Sequence, residues 1–270
     1  NVTDFFRDTD AFKLLKKTVL SRLLKSKEQG ETIRIWVAAC ATGEEVYSVA
    51  MSLIELQDNK INNIPFQIFA SDLSGEAIRI ARNGEYTAHQ LKNVSPKRLQ
   101  RFFSKVKDKY RISQSLRDVC IFAQHNILSD PPFSRMDFIS CRNFLIYLET
   151  TAQRKAISTF HYALNEGGCL MLGKSETIGT ATQLFTPLNK TYKIYSRKNN
   201  STPTRIPDLV PRMPRSNQIE NSTGTNLMNK KNPVQPNVNL GTAFDAVLLS
   251  QYVPASVIIN YDMDILQFRG

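Results

Sequence analysis

Scarce cysteine, scattered histidine and a deficit of acidic residues set the first limits on this chain. Its cysteines are Cys40, Cys120, Cys141 and Cys169, and none forms a C-x-x-C pair. Three of them sit inside apolar runs. That argues against a disulfide framework or a zinc site and fits a reduced, cytoplasmic setting. His89, His125 and His161 lie far apart in the sequence, so they read as structural residues and no metal site is expected. No apolar run approaches the ~18 residues that a membrane-crossing helix needs. A signal peptide is missing too, but the sequence starts at Asn1 without a methionine, so it is expected to be a piece of a longer protein.

What is present is a soluble, globular composition: 270 residues, 41% hydrophobic and 22% charged. The length suffices for one good-sized core and something smaller. Lys and Arg outnumber Asp and Glu by 35 to 24, a net charge of +11. Such a balance suits an acidic partner, whether nucleic acid, an anionic membrane or an acidic protein surface. A basic face with no partner is the plainer reading. The chain shows no aromatic-basic RNA-binding signature.

Helices and strands alternate through the first two thirds. Residues 10–26 carry apolar positions at helical spacing. A strand over 33–39, a helix over 44–57, a strand over 66–72 and a helix over 75–84 follow. Residues 85–117 interrupt the alternation with a short helix in SPKRLQRFF, capped by Ser95 with Pro96 in its first turn. Strands are expected at 109–113, 118–127 and 136–143. A long helix over 151–168 is expected to close on Gly167 and Gly168, ahead of strands at 169–176 and 190–198. This order predicts an open, doubly wound α/β sheet, mostly parallel, with helices on both faces. Ligands of such sheets bind outside the carboxyl ends of the strands, near the switch point. Residues 39–45, 72, 126–127 and 141–147 fall on that rim.

The stretch WVAACATGEEVYSVAM, residues 36–51, runs from a strand through small residues into a helix. Gly43 lets backbone approach a ligand, but the stretch has neither the glycines nor the G-K-[ST] of a phosphate loop. Glu44 and Glu45 at the helix mouth would repel phosphate and suit a cationic group. An acid at the end of the second strand, Asp72, can accept from ribose hydroxyls. Adenosine with a cationic amino-acid tail describes S-adenosylmethionine. In the competing reading the two acids only favour the positive end of the helix dipole.

Six ordered blocks carry a resemblance: NVTDFFRD (1–8), AACATGEEVYS (38–48), FASDLSGEAIRIARNGEY (69–86), HNIL (125–128), MDFISCRNFLIYL (136–148) and GGCLMLGKSE (167–176). Over residues 1–198 the chain resembles CheR-type chemotaxis methyltransferases, which transfer a methyl group from S-adenosylmethionine to glutamate side chains of chemoreceptors. The resemblance implies a Rossmann-like catalytic domain with a small inserted β subdomain at about 85–117. It implies that Asn1, Thr3 and Arg7 lie over the cofactor, with Arg7 near the methyl donor and the incoming carboxylate. Glu45 and Asp72 would face the cofactor's polar tail and ribose, and Asn126 and Ile127 its adenine. Cys141, Arg142 and Asn143 would form the loop after the fourth strand, with Tyr147 near the reaction centre. Plainer roles stand beside these: Cys141 as a small buried residue, Tyr147 as a core tyrosine, Arg142 as an ion-pair partner, and Phe5 and Phe6 as packing.

The sequence departs from the family at Ala41, often Ser, and at Val46, often Pro. The family's small N-terminal helical domain lies outside it, and 85–117 lacks the glycine-rich turn of members that dock a receptor's C-terminal peptide. The implied partners are acidic chemoreceptor helices, with no nucleic acid and no membrane insertion. Two alternatives are a different methyl acceptor and a module that senses S-adenosylmethionine without turnover. Residues 199–242, rich in Asn, Pro, Ser and Thr, read as a linker. Residues 243–270 resemble the start of a PAS sensor domain, an arrangement reminiscent of fused CheB–CheR–PAS signalling proteins.

Overall fold

The computed structural model describes residues 3–28, 30–58 and 63–199, and further on two strands at 256–259 and 265–269. In chain order, α1 (Thr9–Leu15), a π-helical turn (Lys16–Leu20) and α2 (Ser21–Ser26) lead to β1 (Ile33–Ala38). Then come α3 (Glu44–Gln57), β2 (Phe66–Asp72) and α4 (Gly75–Asn83). An insertion holds β3 (Glu85–Thr87), α5 (Pro96–Phe102), β4 (Phe103–Val106) and β5 (Lys109–Ile112). The alternation resumes with α6 (Gln114–Asp118), β6 (Cys120–Gln124), β7 (Met136–Cys141), a 3₁₀ turn (Leu145–Tyr147) and α7 (Thr150–Ala163). It closes with β8 (Leu164–Leu172), β9 (Phe185–Asn189) and β10 (Ile194–Arg197).

Seven strands form one sheet in the order β6-β2-β1-β7-β8-β10-β9. The first five run parallel, and β10 is antiparallel to both β8 and β9. From β1 the chain winds outward to β2 and β6, then returns to the other side of β1 at β7. The reversal between β1 and β7 is the switch point at which such sheets hold ligands. Central β1 is covered on both faces, and its sequence is apolar from Ile35 to Ala38, with Arg34 half-buried near its start. Ile33, Ile35 and Val37 face one core with α3, whereas Trp36 and Ala38 face a second core with α7. The period of two in a strand makes that division.

Local signals explain several element ends. The Ser74 hydroxyl accepts from Ala77 N at 3.2 Å to start α4, and Gly84 ends it at φ 64°. The Ser95 hydroxyl accepts from Arg98 N at 3.4 Å, with Pro96 in the first turn of α5. In the insertion β3, β5 and β4 make a separate three-stranded antiparallel sheet.

Other elements differ from the expectation. Gly167 and Gly168 do not close α7, which ends at Ala163; they lie inside β8, where the pairing with β7 shifts register. A Cβ at Gly168 would stand 2.8 Å from the Asn165 carbonyl oxygen and 3.2 Å from that of Met136. Gly168 therefore serves a close approach of backbones where the strand bulges, and Gly167, with open space around it, supplies the positive φ of 69° there; neither caps the helix. The strand expected over 118–127 is shortened to β6 because α6 runs to Asp118, and the one over 190–198 starts only at Ile194. The first helix contains the π turn, where the Ser21 hydroxyl donates to the Lys16 carbonyl at 2.8 Å.

A second unit contains β11 (Ser256–Ile259) and β12 (Ile265–Arg269), paired antiparallel. Most of residues 199–242, expected to be a linker, and the rest of the tail expected to begin a PAS-like domain lie outside the described residues. An isolated two-stranded hairpin is marginal in water. Chains 1–198 and 1–270 are accordingly expected to melt within a few degrees of each other, since 1 kcal/mol shifts a domain of this size by roughly 2–4 °C. An unfolded 1–198 in circular dichroism would place the boundary elsewhere.

Candidate active site

At the end of β1 the chain makes a tight turn. Ala39 and Ala41 have φ of 53° and 47°, and Gly43 has φ 92°. A Cβ on Gly43 would lie 2.9 Å from that of Ala81, so glycine is required there for space as well as conformation. Asp72, at the end of β2, organises this turn: Ala41 N donates to its Oδ2 at 2.8 Å and Ser74 N to its Oδ1 at 2.9 Å. Each carboxylate oxygen keeps capacity for a further hydrogen bond.

The two acids at the mouth of α3 part company. Glu44 is buried, and the Thr42 hydroxyl lies 2.7 and 2.9 Å from its two oxygens. Burial raises its carboxyl above the usual range, against the opposing hydrogen bond from Thr42. Glu45 instead reaches across the rim to β7. It accepts from the Ser140 hydroxyl at 2.5 Å and from Arg142 Nη1 at 3.2 Å.

Arg142 is the hub. Its side chain is 2% exposed and lies between two carboxylates, Glu45 and Asp8, with Nη2 2.6 Å from Asp8 Oδ2. Both terminal nitrogens also donate to the Arg7 carbonyl, at 3.2 and 3.3 Å. The ion-pair role that the sequence left open for Arg142 is thus present, and the same residue borders the cavity. Lys174 Nζ meets Asp8 Oδ1 at 2.8 Å. Burial pushes the Asp8 carboxyl up, but the Lys174 hydrogen bond and the Arg142 charge outweigh it, and its pKa falls below the ordinary value.

These pairs fasten residues 3–8 across the rim. Phe5 and Phe6 anchor the segment by packing, as expected. Phe5 meets Tyr86 edge-on at 4.9 Å, Phe6 meets Phe12 at 5.4 Å, and Phe6 N donates to Ser48 Oγ at 3.0 Å. Beneath lies a cavity of about 130 Å³, bordered by Thr3, Arg7, the 37–41 turn, Glu45, Asp72, Arg142, Asn143, Phe144 and Tyr147. A neighbouring cavity of about 460 Å³ shares Thr3, Ala41 and Asp72 and continues past Glu44 to Gln90. Together they match the size of a small-molecule site.

Thr3, Arg7, Glu45, Asp72, Arg142, Asn143 and Tyr147 are therefore brought together around one cavity. Tyr147 is 75% exposed at its edge and is not a core tyrosine. Asn126, Ile127 and Cys141 are not among the residues bordering either cavity. Asn126 heads a turn, accepting from Leu128 N at 3.0 Å while its own N–H donates to Asp130. Ile127 and Cys141 are buried in the second core, and burial pushes the Cys141 thiol far up, leaving it inert. Asn1 lies outside the described residues. The sequence did not single out Asp8, Ser140, Lys174 or Glu176. Among the described residues no group of three or more His, Cys, Asp or Glu could hold a metal ion, and no helix is long and apolar enough to cross a membrane.

A mostly parallel sheet with an acid at the end of β2, a second acid at the mouth of the first crossover helix and a cavity at the switch point defines a nucleotide-cofactor-binding α/β domain. Residues 1–194 match the family of the CheR methyltransferase, SAM binding domain, and the chain belongs to that family. It is 38% identical over 194 residues to an uncharacterized 104.1 kDa protein of Rhodobacter capsulatus, a match covering 72% of this chain and 20% of that protein. It is 37% identical over 183 residues to chemotaxis protein methyltransferase 1 of Pseudomonas aeruginosa, covering 66% of each. It is also 32% identical over 199 residues to the chemotaxis protein methyltransferase of Borreliella burgdorferi, covering 72% of this chain and 70% of that one. The chain thus spans from 20% to 70% of these relatives' lengths. The cofactor of the domain is S-adenosylmethionine, and the acid-lined cavity fits it: Asp72 retains acceptor capacity for a diol, and Glu45 offers a carboxylate to an ammonium group.

Replacing Asp72 with alanine is expected to weaken S-adenosylhomocysteine binding by ~1.5–3 kcal/mol, the range for hydrogen bonds to a charged group. Calorimetry on the folded variant checks this, and an unchanged dissociation constant overturns the ribose role.

Proposed function

We propose that this chain is a protein-glutamate O-methyltransferase of chemotaxis-type signalling, acting in the cytoplasm on glutamate side chains of chemoreceptor helices. One observation carries the proposal: Arg7 and Tyr147 border the same cavity as Glu45 and Asp72. A guanidinium and an exposed phenol thus share a site with the acids that suit the cofactor's polar groups. The names of the Pseudomonas and Borreliella relatives support the same reading.

S-adenosylmethionine supplies an activated methyl group on a sulfonium centre. A glutamate acceptor is ionised well above its pKa of ~4.3, so the chain needs no general base. Its task is positioning. Asp72 holds the ribose hydroxyls, and Glu45, itself fixed by Ser140 and Arg142, faces the ammonium group. Arg7 orients the acceptor carboxylate, because a guanidinium fork matches its two oxygens. The basic surface of the chain attracts an acidic receptor helix.

We further propose that 243–270 begins a PAS-like domain and that the whole belongs to a CheB–CheR–PAS type of protein. The match to only 20% of a 104.1 kDa relative supports placing such a domain within long chains. The functional test is transfer of a labelled methyl group to receptor cytoplasmic fragments, with RNA as the rival acceptor. Cofactor affinity without transfer to any receptor fragment overturns the proposal.

A further inference from the structure

Glu176 is 3% exposed, yet no cation is paired with it among the described residues. Backbone amides surround it instead. Oε1 accepts from Phe144 N at 2.8 Å and Leu145 N at 2.6 Å; Oε2 accepts from Asn143 N at 2.9 Å and Gly173 N at 2.6 Å. Three of these donors are consecutive residues of the loop after β7, and the fourth begins the loop after β8. Three successive N–H groups converge on one anion only when the backbone curls into a nest. Asn143, at φ 61°, supplies the left-handed residue that the curl needs.

The seat leaves no spare room. A Cβ on Gly173 would stand 2.7 Å from Glu176 Oε2 and 2.9 Å from Asn143 N, although Gly173 does not have a positive φ. Glycine is there for space alone. The loop so gripped is the one that borders the cavity with Asn143, Phe144 and Tyr147. The grip passes directly into the 3₁₀ turn: Tyr147 N donates to the Phe144 carbonyl at 3.1 Å. From the other side, Gln153 Nε2 donates to the Leu145 and Leu148 carbonyls at 3.0 and 2.9 Å. Tyr147 is thus held at the mouth by its backbone, while its side chain stays exposed.

We propose that Glu176 is a positioning residue for methyl transfer: an internal anion that folds the 143–147 loop into the shape that presents Asn143 and Tyr147 to the site, with Gly173 clearing its seat. This rests on the methyltransferase reading. The residue touches neither acceptor nor cofactor and acts through the loop.

The test uses the 270-residue chain with Glu176→Gln, Glu176→Asp and Gly173→Ala. Glutamine keeps the shape, but its amide group aims two donors at two donors, so half the seat is lost. Amide hydrogen exchange at Asn143, Phe144 and Leu145 should accelerate at least about tenfold in Glu176→Gln, with exchange in β1 unchanged. The kcat for methyl transfer should fall by about 10²-fold, the scale of a 1 Å misplacement, while S-adenosylhomocysteine affinity changes by less than about tenfold. Glu176→Asp should restore part of kcat, because it keeps the charge and all acceptors.

Parental kcat in a folded Glu176→Gln chain overturns the proposal, as does acceleration spread evenly through the sheet. If Glu176→Gln does not fold, Gly173→Ala reads the same displacement with the carboxylate in place, and parental kcat and loop exchange there overturn the proposal. A parent chain that methylates no receptor fragment defeats the functional reading, whereas the exchange pattern still decides the loop assignment.

Discussion

Replacing Arg142 with leucine is expected to cost about 3–5 kcal/mol, the usual loss when one partner of a buried ion pair is removed. The guanidinium is 2% exposed and lies between Glu45 and Asp8. Without it Glu45 keeps only the Ser140 hydroxyl, and the Arg7 carbonyl loses both donors that fasten residues 3–8. At roughly 2–4 °C per kcal/mol for a domain of this size, the midpoint should fall by about 6–20 °C. A drop under about 3 °C refutes the role. The double variant with Glu45→Gln should lose less than the sum of the two single changes, because the pair is in contact.

Acid weakens the same fastening. The Asp8 carboxyl is depressed in the folded chain by Lys174 and Arg142, despite its partial burial. Its contribution to stability is therefore complete above the ordinary carboxylate pKa and is lost as the pH falls through the lower folded value. Asp8→Asn should flatten that limb of the stability–pH curve, as read from melts at successive pH values. A curve parallel to the parent's would show that Asp8 does not contribute.

Arg7→Ala is expected to depress methyl transfer by about 10²-fold, the cost of a misoriented acceptor. Affinity for S-adenosylhomocysteine should stay within a few-fold, because the acids at Glu45 and Asp72 are untouched. Arg7→Lys should rescue poorly, since a point charge lacks the fork that meets both carboxylate oxygens. The labelled-methyl assay on receptor fragments checks this, and full turnover in Arg7→Ala removes Arg7 from the transfer step.

The sequence was legible where one residue type answers a local demand. Helix α3 and strand β2 fall at their expected limits, 44–57 and 66–72. Gly43 ahead of α3 and the apolar Phe66, Ile68, Phe69 and Ala70 of β2 mark them. Ser95 and Pro96 mark α5 in the same way. Gly167 and Gly168 misled because glycine has two uses: it ends helices, and it lets backbones cross closely. Only the position of Met136 on the adjacent strand reveals the second use, at Gly168.

By itself the sequence determined the alternation of strands and helices, the turn at Gly43 and the acids at Glu45 and Asp72, because each follows from neighbours along the chain or from spacing within one element. The tertiary structure alone decided what those acids do. Glu44 and Glu45 are adjacent, yet one turns inward to Thr42 and the other crosses to Ser140 and Arg142. Asp8, Arg142 and Lys174 are far apart in sequence and meet only because β7 and β8 end on the same rim. Glu176 lies about thirty residues from three of the four amides it gathers. The bonds that set these roles are made to backbone N–H groups and to charges brought in by sheet order. Every residue but proline carries such a backbone group, so its use leaves almost no trace in residue type.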